Sequence, residues 1–215
     1  MDDFLNRKAL IQVLGAVAYG ELKAYEGAKA DAAAAANDAD RRHFKKVAAE
    51  ELRHHKGFVA RLEAMGADPE RAMRPFRTAL DRYHSTSPDG DVENAVGAYL
   101  GEGIADDLLQ WLRTVVDTDT AAFIDTVIAD EVEHEGHAAA SLRAVMTTTP
   151  RGKKRAAAGA QQMALHMLWS GRGTAALPLA AFVRLGNPLG LIGAIAGGHV
   201  RRMQAIGLRP LGLFA

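Results

Sequence analysis

The feature that most constrains the fold is a helical spacing of apolar residues over four long stretches of the chain. From Asp3 to about Ala36, apolar side chains recur every three or four residues, as they do in a helix with one buried face. The same period predicts further helices over residues 39–65, 92–116 and 120–146. Because no stretch alternates as a half-buried strand would, the sequence predicts an all-α protein.

The connections between these helices indicate how they pair. The breaks at residues 37–38 and 117–119 are short, and short breaks join helices that lie side by side. Residues 74–90 form a long crossover that ends in the turn sequence Ser-Pro-Asp-Gly. Two short-loop pairs joined by one long crossover predict the ferritin-like arrangement of a four-helix bundle.

A change in composition after Pro150 marks a domain boundary, because glycine and proline cluster beyond it. We predict a bundle in residues 1–149 and a C-terminal segment in residues 150–215, which begins with a fifth helix over 151–172. The tail that follows is apolar but interrupted by glycine and proline, so it must bend. We expect it to pack on the bundle or across a homodimer interface, with a peripheral membrane contact as the alternative.

Overall composition excludes several classes of function. Lysine and arginine balance aspartate and glutamate, so a general electrostatic role on nucleic acid or membranes has no support. The chain has no cysteine, which excludes disulfides, iron–sulfur clusters and thiol nucleophiles. The first residues lack the basic-then-apolar order of a signal peptide, so a soluble cytoplasmic protein is expected.

The two halves of the predicted bundle repeat the same chemistry. In each, a glutamate on one helix is followed at nearly the same distance by Glu-x-x-His on the next. Residues three apart project from the same face of a helix, so such a Glu and His can hold one metal ion together. A single Glu-x-x-His is usually a solvated surface pair, whereas the doubled pattern favours a site.

Each of these glutamates falls in the apolar phase of its helix and would point into the core. Bare carboxylates are not tolerated there, and divalent cations would neutralise them. Carboxylate and imidazole ligands suit iron, with manganese as an alternative. The sequence therefore predicts two iron ions on six residues that are both metal ligands and catalytic residues: Glu21, Glu51, His54, Glu102, Glu131 and His134.

The same stretches hold other acids and histidines whose roles the spacing leaves open: Glu50, His55, Glu133, Glu135 and His137. A frame shifted by one residue pairs Glu50 with Arg53, which is not a ligand pair. His137 lies three residues beyond His134, either close to the site or on a polar face.

A second group lies one helical turn from predicted ligands. Tyr25 and Tyr99 are either core residues, which we favour, or redox-active neighbours of the metal. Asp106 could orient a ligand histidine. His166 and His199 are isolated and are interpreted as structural.

Several stretches resemble a known family: LGAVAYGEL, AAEELRHH, RLEAMGADPERAM, AYLGEGIADDLL and IADEVEHEGHA. Over about residues 8–146 they are similar to actinobacterial ferritin-like proteins related to tRNA-(2-methylthio-N6-isopentenyladenosine) hydroxylase, the MiaE-like group. The resemblance implies a non-haem di-iron monooxygenase and carries the family's ligands onto the same six residues. The stretch EVEHEGH is denser in candidate ligands than the family pattern.

The expected function is an O2-activating oxidoreductase, a hydroxylase of a prenylated tRNA adenosine or another small hydrophobic substrate. O2 is the co-substrate, and an external reductase or ferredoxin supplies electrons because the chain has no flavin or iron–sulfur motif. Candidate phosphate contacts form two basic groups: Arg151, Lys153, Lys154 and Arg155, or Arg71, Arg74 and Arg77. The interpretation that we favour for both groups is ordinary solvated charge on a helix face. The alternatives are a ferroxidase that handles iron without an organic substrate, and a non-catalytic bundle that docks through its tail.

Overall fold

The computed structural model describes residues 2–85, 90–170 and 179–209. Within these ranges every regular element is helical and no strand occurs, which confirms the predicted all-α class. The first three residues of the predicted turn at 87–90 lie outside the described residues. So do Pro178 and the apolar end of the tail, residues 210–215.

The described helices agree with the predicted ones to within a few residues at most ends. They are α1 (Asp2–Ala34), α2 (Asp38–Ala64), α3 (Pro69–Met73), α4 (Arg77–Ser85), α5 (Asp91–Leu112), α6 (Thr118–Thr148), α7 (Gly152–Ser170), α8 (Leu179–Leu185) and α9 (Pro188–Ala205). A 3₁₀ turn, Arg74–Phe76, lies between α3 and α4. Asn37 and Asp117 cap α2 and α6 by accepting hydrogen bonds from backbone N–H groups of the first turn.

The chain forms two compact units, of which the first contains α1 to α4 and α8. Its core lies between α1 and α2, where Leu14, Phe58 and Leu62 are completely buried. Helices α3 and α8 also pack on α1, and α8 buries Ala181 and Phe182.

The second unit contains α5, α6, α7 and α9. Its core includes Tyr99 of α5, Leu142 of α6, Ala156 of α7 and Met203 of α9. The predicted fifth helix is thus α7, which packs beside α5 and α6. The predicted boundary between residues 149 and 150 stays a prediction.

The described part of the tail consists of two helices with a sharp break between them. Asn187 has the left-handed backbone conformation, with φ 52°, and its side chain accepts a hydrogen bond from the backbone N–H of Gly190. Pro188 follows as the first residue of α9, where its missing N–H costs nothing. Among the described residues, no helix combines the length and hydrophobicity needed to cross a bilayer.

Candidate metal centre

The first unit brings three predicted ligands together. Glu21 comes from α1, and Glu51 and His54 come from the α2 face that also buries Phe58 and Leu62. These three polar residues are only 9%, 5% and 1% exposed, respectively. The spacing of Glu51 and His54 places both on this buried face, as the sequence predicts.

The ligand atoms of this group lie close enough together to hold a metal ion. His54 Nδ1 lies 3.5 Å from a carboxylate oxygen of Glu21 and 3.5 Å from one of Glu51. Each of the three residues offers a ligand atom within 4.8 Å of those of the other two. A single cation placed among these atoms would contact oxygen and nitrogen donors from both helices.

The second unit brings together only two of its three predicted ligands. On α6, Glu131 and His134 are three residues apart, and Glu131 Oε2 lies 3.1 Å from His134 Nδ1. His134 is buried and Glu131 is partly buried. Glu102 of α5 has an exposed side chain, although it occupies the apolar phase of the sequence pattern.

Asp106 is the acid whose place the sequence analysis did not settle. Burial raises its pKa well above the usual range, and the negative charges of Glu131, Glu135 and Glu102 raise it further. Asp106 therefore belongs to the same acidic cluster as the predicted ligands of this unit. In the sequence, its position one turn after Glu102 was the sign that Asp106 lies near the predicted ligands. A bound cation would favour the ionised form of every carboxyl group in this cluster.

Two of the residues whose roles the spacing left open, His55 and Glu50, make contacts away from the candidate metal ligands. His55 donates from Nδ1 to the backbone carbonyl of Ala18, 2.7 Å away, which ties α2 to α1. Glu50 lies 3.7 Å from the ammonium group of Lys46. These contacts support the frame in which Glu51 and His54 face inward.

The two tyrosines also make contacts within their own units. Lys29 places its ammonium group 5.1 Å from the centre of the Tyr25 ring. Tyr99 is 1% exposed and donates its hydroxyl hydrogen to the carbonyl of Arg202, 3.3 Å away. Tyr99 is therefore a core residue, as the sequence analysis favoured, whereas Tyr25 is only partly buried.

The remaining ambiguous residues differ in exposure. Glu133 is exposed and His137 is partly buried. His199 is partly buried on α9, where burial and the charge of Arg202 lower its pKa. The side chain of His166 lies outside the described residues.

The donor set fits iron. The buried group supplies two carboxylates and an imidazole, which are oxygen and nitrogen donors that iron and manganese accept. The chain has no cysteine, so no thiolate competes to select zinc or copper. A divalent cation would also offset the cost of burying two carboxylates so close together.

Comparison with known proteins places the chain in a family. The family model described as "Ferritin-like domain, actinomycetes" matches residues 5–168. A solved structure, protein 19 with aldehyde deformylating oxidase activity from Synechococcus, superposes with a TM-score of 0.73, covers 97% of this chain and 94% of its own, and is 21% identical. No curated protein matches the sequence.

These matches confirm the predicted ferritin-like fold, while the closer resemblance to the MiaE-like group stays a prediction. The family match includes all six predicted ligands and most of the described helices. The chain therefore belongs to the actinomycete family of ferritin-like domains.

Proposed function

We propose that the protein is a non-haem di-iron oxidoreductase that uses O2. The observation that carries this proposal is the buried group of Glu21, Glu51 and His54, whose pattern the chain repeats in its second half. The six predicted residues would hold two metal ions between them. Membership of a ferritin-like family supports the proposal, because carboxylate and Glu-x-x-His ligands of this kind form di-iron sites in such bundles.

The protein's own residues have three tasks in this function. The glutamates would balance the charge of the metal, and the histidines would bind it through a neutral ring nitrogen. The burial of Glu51 and His54 limits the access of bulk water. Iron bound there would supply the redox chemistry needed to react with O2.

The proposed reaction is the hydroxylation of an organic substrate. One oxygen atom enters a C–H bond and the other leaves as water, and an external donor supplies the electron pair and the protons. The similar protein from Synechococcus has aldehyde deformylating oxidase activity, which supports an oxidative reaction on an organic substrate. A prenylated tRNA adenosine is also to be tested as a substrate, because of the sequence resemblance to the MiaE-like group.

The experiment compares metal loading with turnover. Anaerobically loaded protein should hold close to two irons per chain, and Glu51→Ala should lower that number. Glu63→Ala is the matched control, because Glu63 is an exposed acid on the same helix. A wild-type protein without specific iron binding would contradict the proposal.

Turnover separates hydroxylation from ferroxidase activity. The iron-loaded protein is given O2 and a reductant with medium-chain aldehydes, alkanes or prenylated adenosine, and the products are analysed by mass spectrometry. Label from 18O2 in a product supports a hydroxylase. Oxidation and retention of excess Fe2+, with no labelled product, would instead establish the ferroxidase alternative.

A further inference from the structure

Three residues of α5 face α9 along one stripe of the helix. Tyr99, Gly103 and Asp107 are spaced four residues apart, so their side-chain positions follow one another along the same face. All three are buried, and all three meet Arg202 of α9. The docking of α9 thus involves two full turns of α5.

The central contact is a buried ion pair. Both Asp107 and Arg202 are 2% exposed. Arg202 donates from Nη1 to Asp107 Oδ1 at 3.3 Å and from Nη2 to Oδ2, so the guanidinium binds the carboxylate through two parallel hydrogen bonds. The carbonyl of Arg202 also accepts the hydroxyl hydrogen of Tyr99.

Two glycines make room for this pair. A Cβ atom on Gly103 would overlap the Arg202 guanidinium and its δ-carbon. A Cβ atom on Gly198 would overlap both carboxylate oxygens of Asp107. Each helix therefore has a glycine where the charged group of the other helix lies, and the pair fits only in this alignment.

Such a pair contributes more to the relative orientation of the two helices than to the stability of the fold. Burying two charges has a large desolvation penalty, and apolar residues of similar volume would hold two helices together equally well. Two parallel hydrogen bonds, however, fix the rotation of α5 about its own axis. Glu102 directly precedes Gly103 and Asp106 directly precedes Asp107, so this rotation sets the direction in which both acids point.

We propose that Arg202, through Asp107, is a positioning residue for the metal ligands of α5. This inference rests on the proposed function, because it presumes that acids of α5 take part in the metal centre. It assigns a role to the C-terminal segment, since the family match ends at residue 168 and Arg202 lies beyond it. The metal centre then depends on a helix outside the matched family domain.

The test measures metal binding in the full-length protein. Co2+ is titrated anaerobically and followed by its ligand-field absorption, which reports affinity and coordination geometry. In Arg202→Met, one of the two Co2+ ions should bind at least about tenfold more weakly with a changed spectrum, while the other is unaffected. Arg201→Met is the matched control: the neighbouring arginine is 69% exposed, lies 3.6 Å from Asp107, and should leave both affinities unchanged.

A double variant separates positioning from stability. Asp107→Leu with Arg202→Leu replaces the ion pair by apolar side chains and should preserve the melting temperature. If Arg202 is a positioning residue, one of the two Co2+ ions should bind to this variant as weakly as it does to Arg202→Met. If it binds both ions as the wild type does, the pair only holds the helices together and the inference is overturned.

The outcomes also separate this inference from the proposed function. Wild-type protein that binds no Co2+ would overturn both. Wild-type binding that Arg202→Met leaves unchanged would overturn the inference alone. If Arg202→Met fails to fold, the apolar double variant decides.

Discussion

Gly15 shows how a single residue fixes the distance between two helices. Helix α3 approaches α1 at this point, and a Cβ atom on Gly15 would lie 2.5 Å from the carbonyl oxygen of Ala72. Backbone atoms cannot turn aside as the end of a side chain can, so α3 would have to move. The sequence alone does not predict this, because the glycine lies within a helical pattern and the contact depends on tertiary packing.

Replacing Gly15 by alanine should therefore destabilise the fold. We expect Gly15→Ala to lower the free energy of unfolding by about 2 kcal/mol, since overpacking outweighs the better helix propensity of alanine. Urea denaturation monitored by circular dichroism measures the change. Gly27→Ala is the control: a Cβ atom there has no neighbour within 4 Å, and the variant should be slightly more stable than the wild type. Equal effects at both glycines would contradict the argument.

Tyr99 links residue chemistry to pH. Burial and the charge of Glu135 raise the pKa of its hydroxyl to about 12, above the ordinary value of 10.0. The folded state therefore favours the neutral phenol. The contribution of Tyr99 to the free energy of unfolding is complete below pH 10 and is lost as the pH rises towards 12.

When the pH is raised from 9 to 11, the ionisation of Tyr99 should lower the free energy of unfolding by about 1 kcal/mol. Urea denaturation of the wild type and of Tyr99→Phe at both pH values measures this, and the variant should lose less stability on going to pH 11. Identical losses would show that Tyr99 ionises like an ordinary tyrosine.

At the scale of elements, the sequence predicts the long helices well and the tail poorly. The helices α1, α2, α5 and α6 have both a helical period and polar residues at their ends, so local chemistry determines them. The tail has apolar residues on every side, and its alignment on α5 includes the buried ion pair between Asp107 and Arg202, which are far apart in the sequence. No local pattern reveals such a contact.

The start of α6 offers a direct test of this local control. Asp117 accepts hydrogen bonds from the backbone N–H and the hydroxyl of Thr120, and these bonds lower the pKa of its carboxyl group. Asp117→Ala should lower the free energy of unfolding by about 1 kcal/mol at neutral pH. Because the folded-state pKa is lowered, the cap stabilises above the ordinary value of 3.8 and its effect is lost as the pH falls below it.

Thermal unfolding at pH 7 and pH 3 measures both parts of this prediction. The difference between the wild type and Asp117→Ala should shrink at the lower pH. Asp119→Ala is the control, because Asp119 is exposed in the same first turn and is not the cap. A variant as stable as the wild type at neutral pH would contradict the role of the cap.

At the scale of the whole molecule, spacing predicts which residues share a helix face but not how far each helix is rotated. The pairs Glu51 with His54 and Glu131 with His134 follow from a separation of three residues, and the structure places each pair together. The exposure of Glu102 and the place of Asp106 in the acidic cluster depend on the rotation of α5. That rotation is set by contacts with other helices, which a single sequence does not reveal.

The predicted ligands also come from parts of the chain that are far apart, so bound metal should stabilise the native state as a whole. A ligand that binds only the folded protein adds about 2.7 kcal/mol at a free concentration one hundred times its Kd. For a chain of this size, that corresponds to a rise in melting temperature of roughly 5 to 10 °C. Removal of the metal with a strong chelator should reverse the rise.

Differential scanning calorimetry of the stripped and the Fe2+-loaded protein, under anaerobic conditions, measures this shift. Glu51→Gln keeps the shape of the side chain but removes a charged ligand, so the rise should be much smaller in that variant. Glu63→Gln changes an exposed residue of the same helix and should retain the full rise. If iron raises the melting temperature of Glu51→Gln as much as that of the wild type, Glu51 is not a ligand, because the binding free energy would then arise elsewhere in the protein.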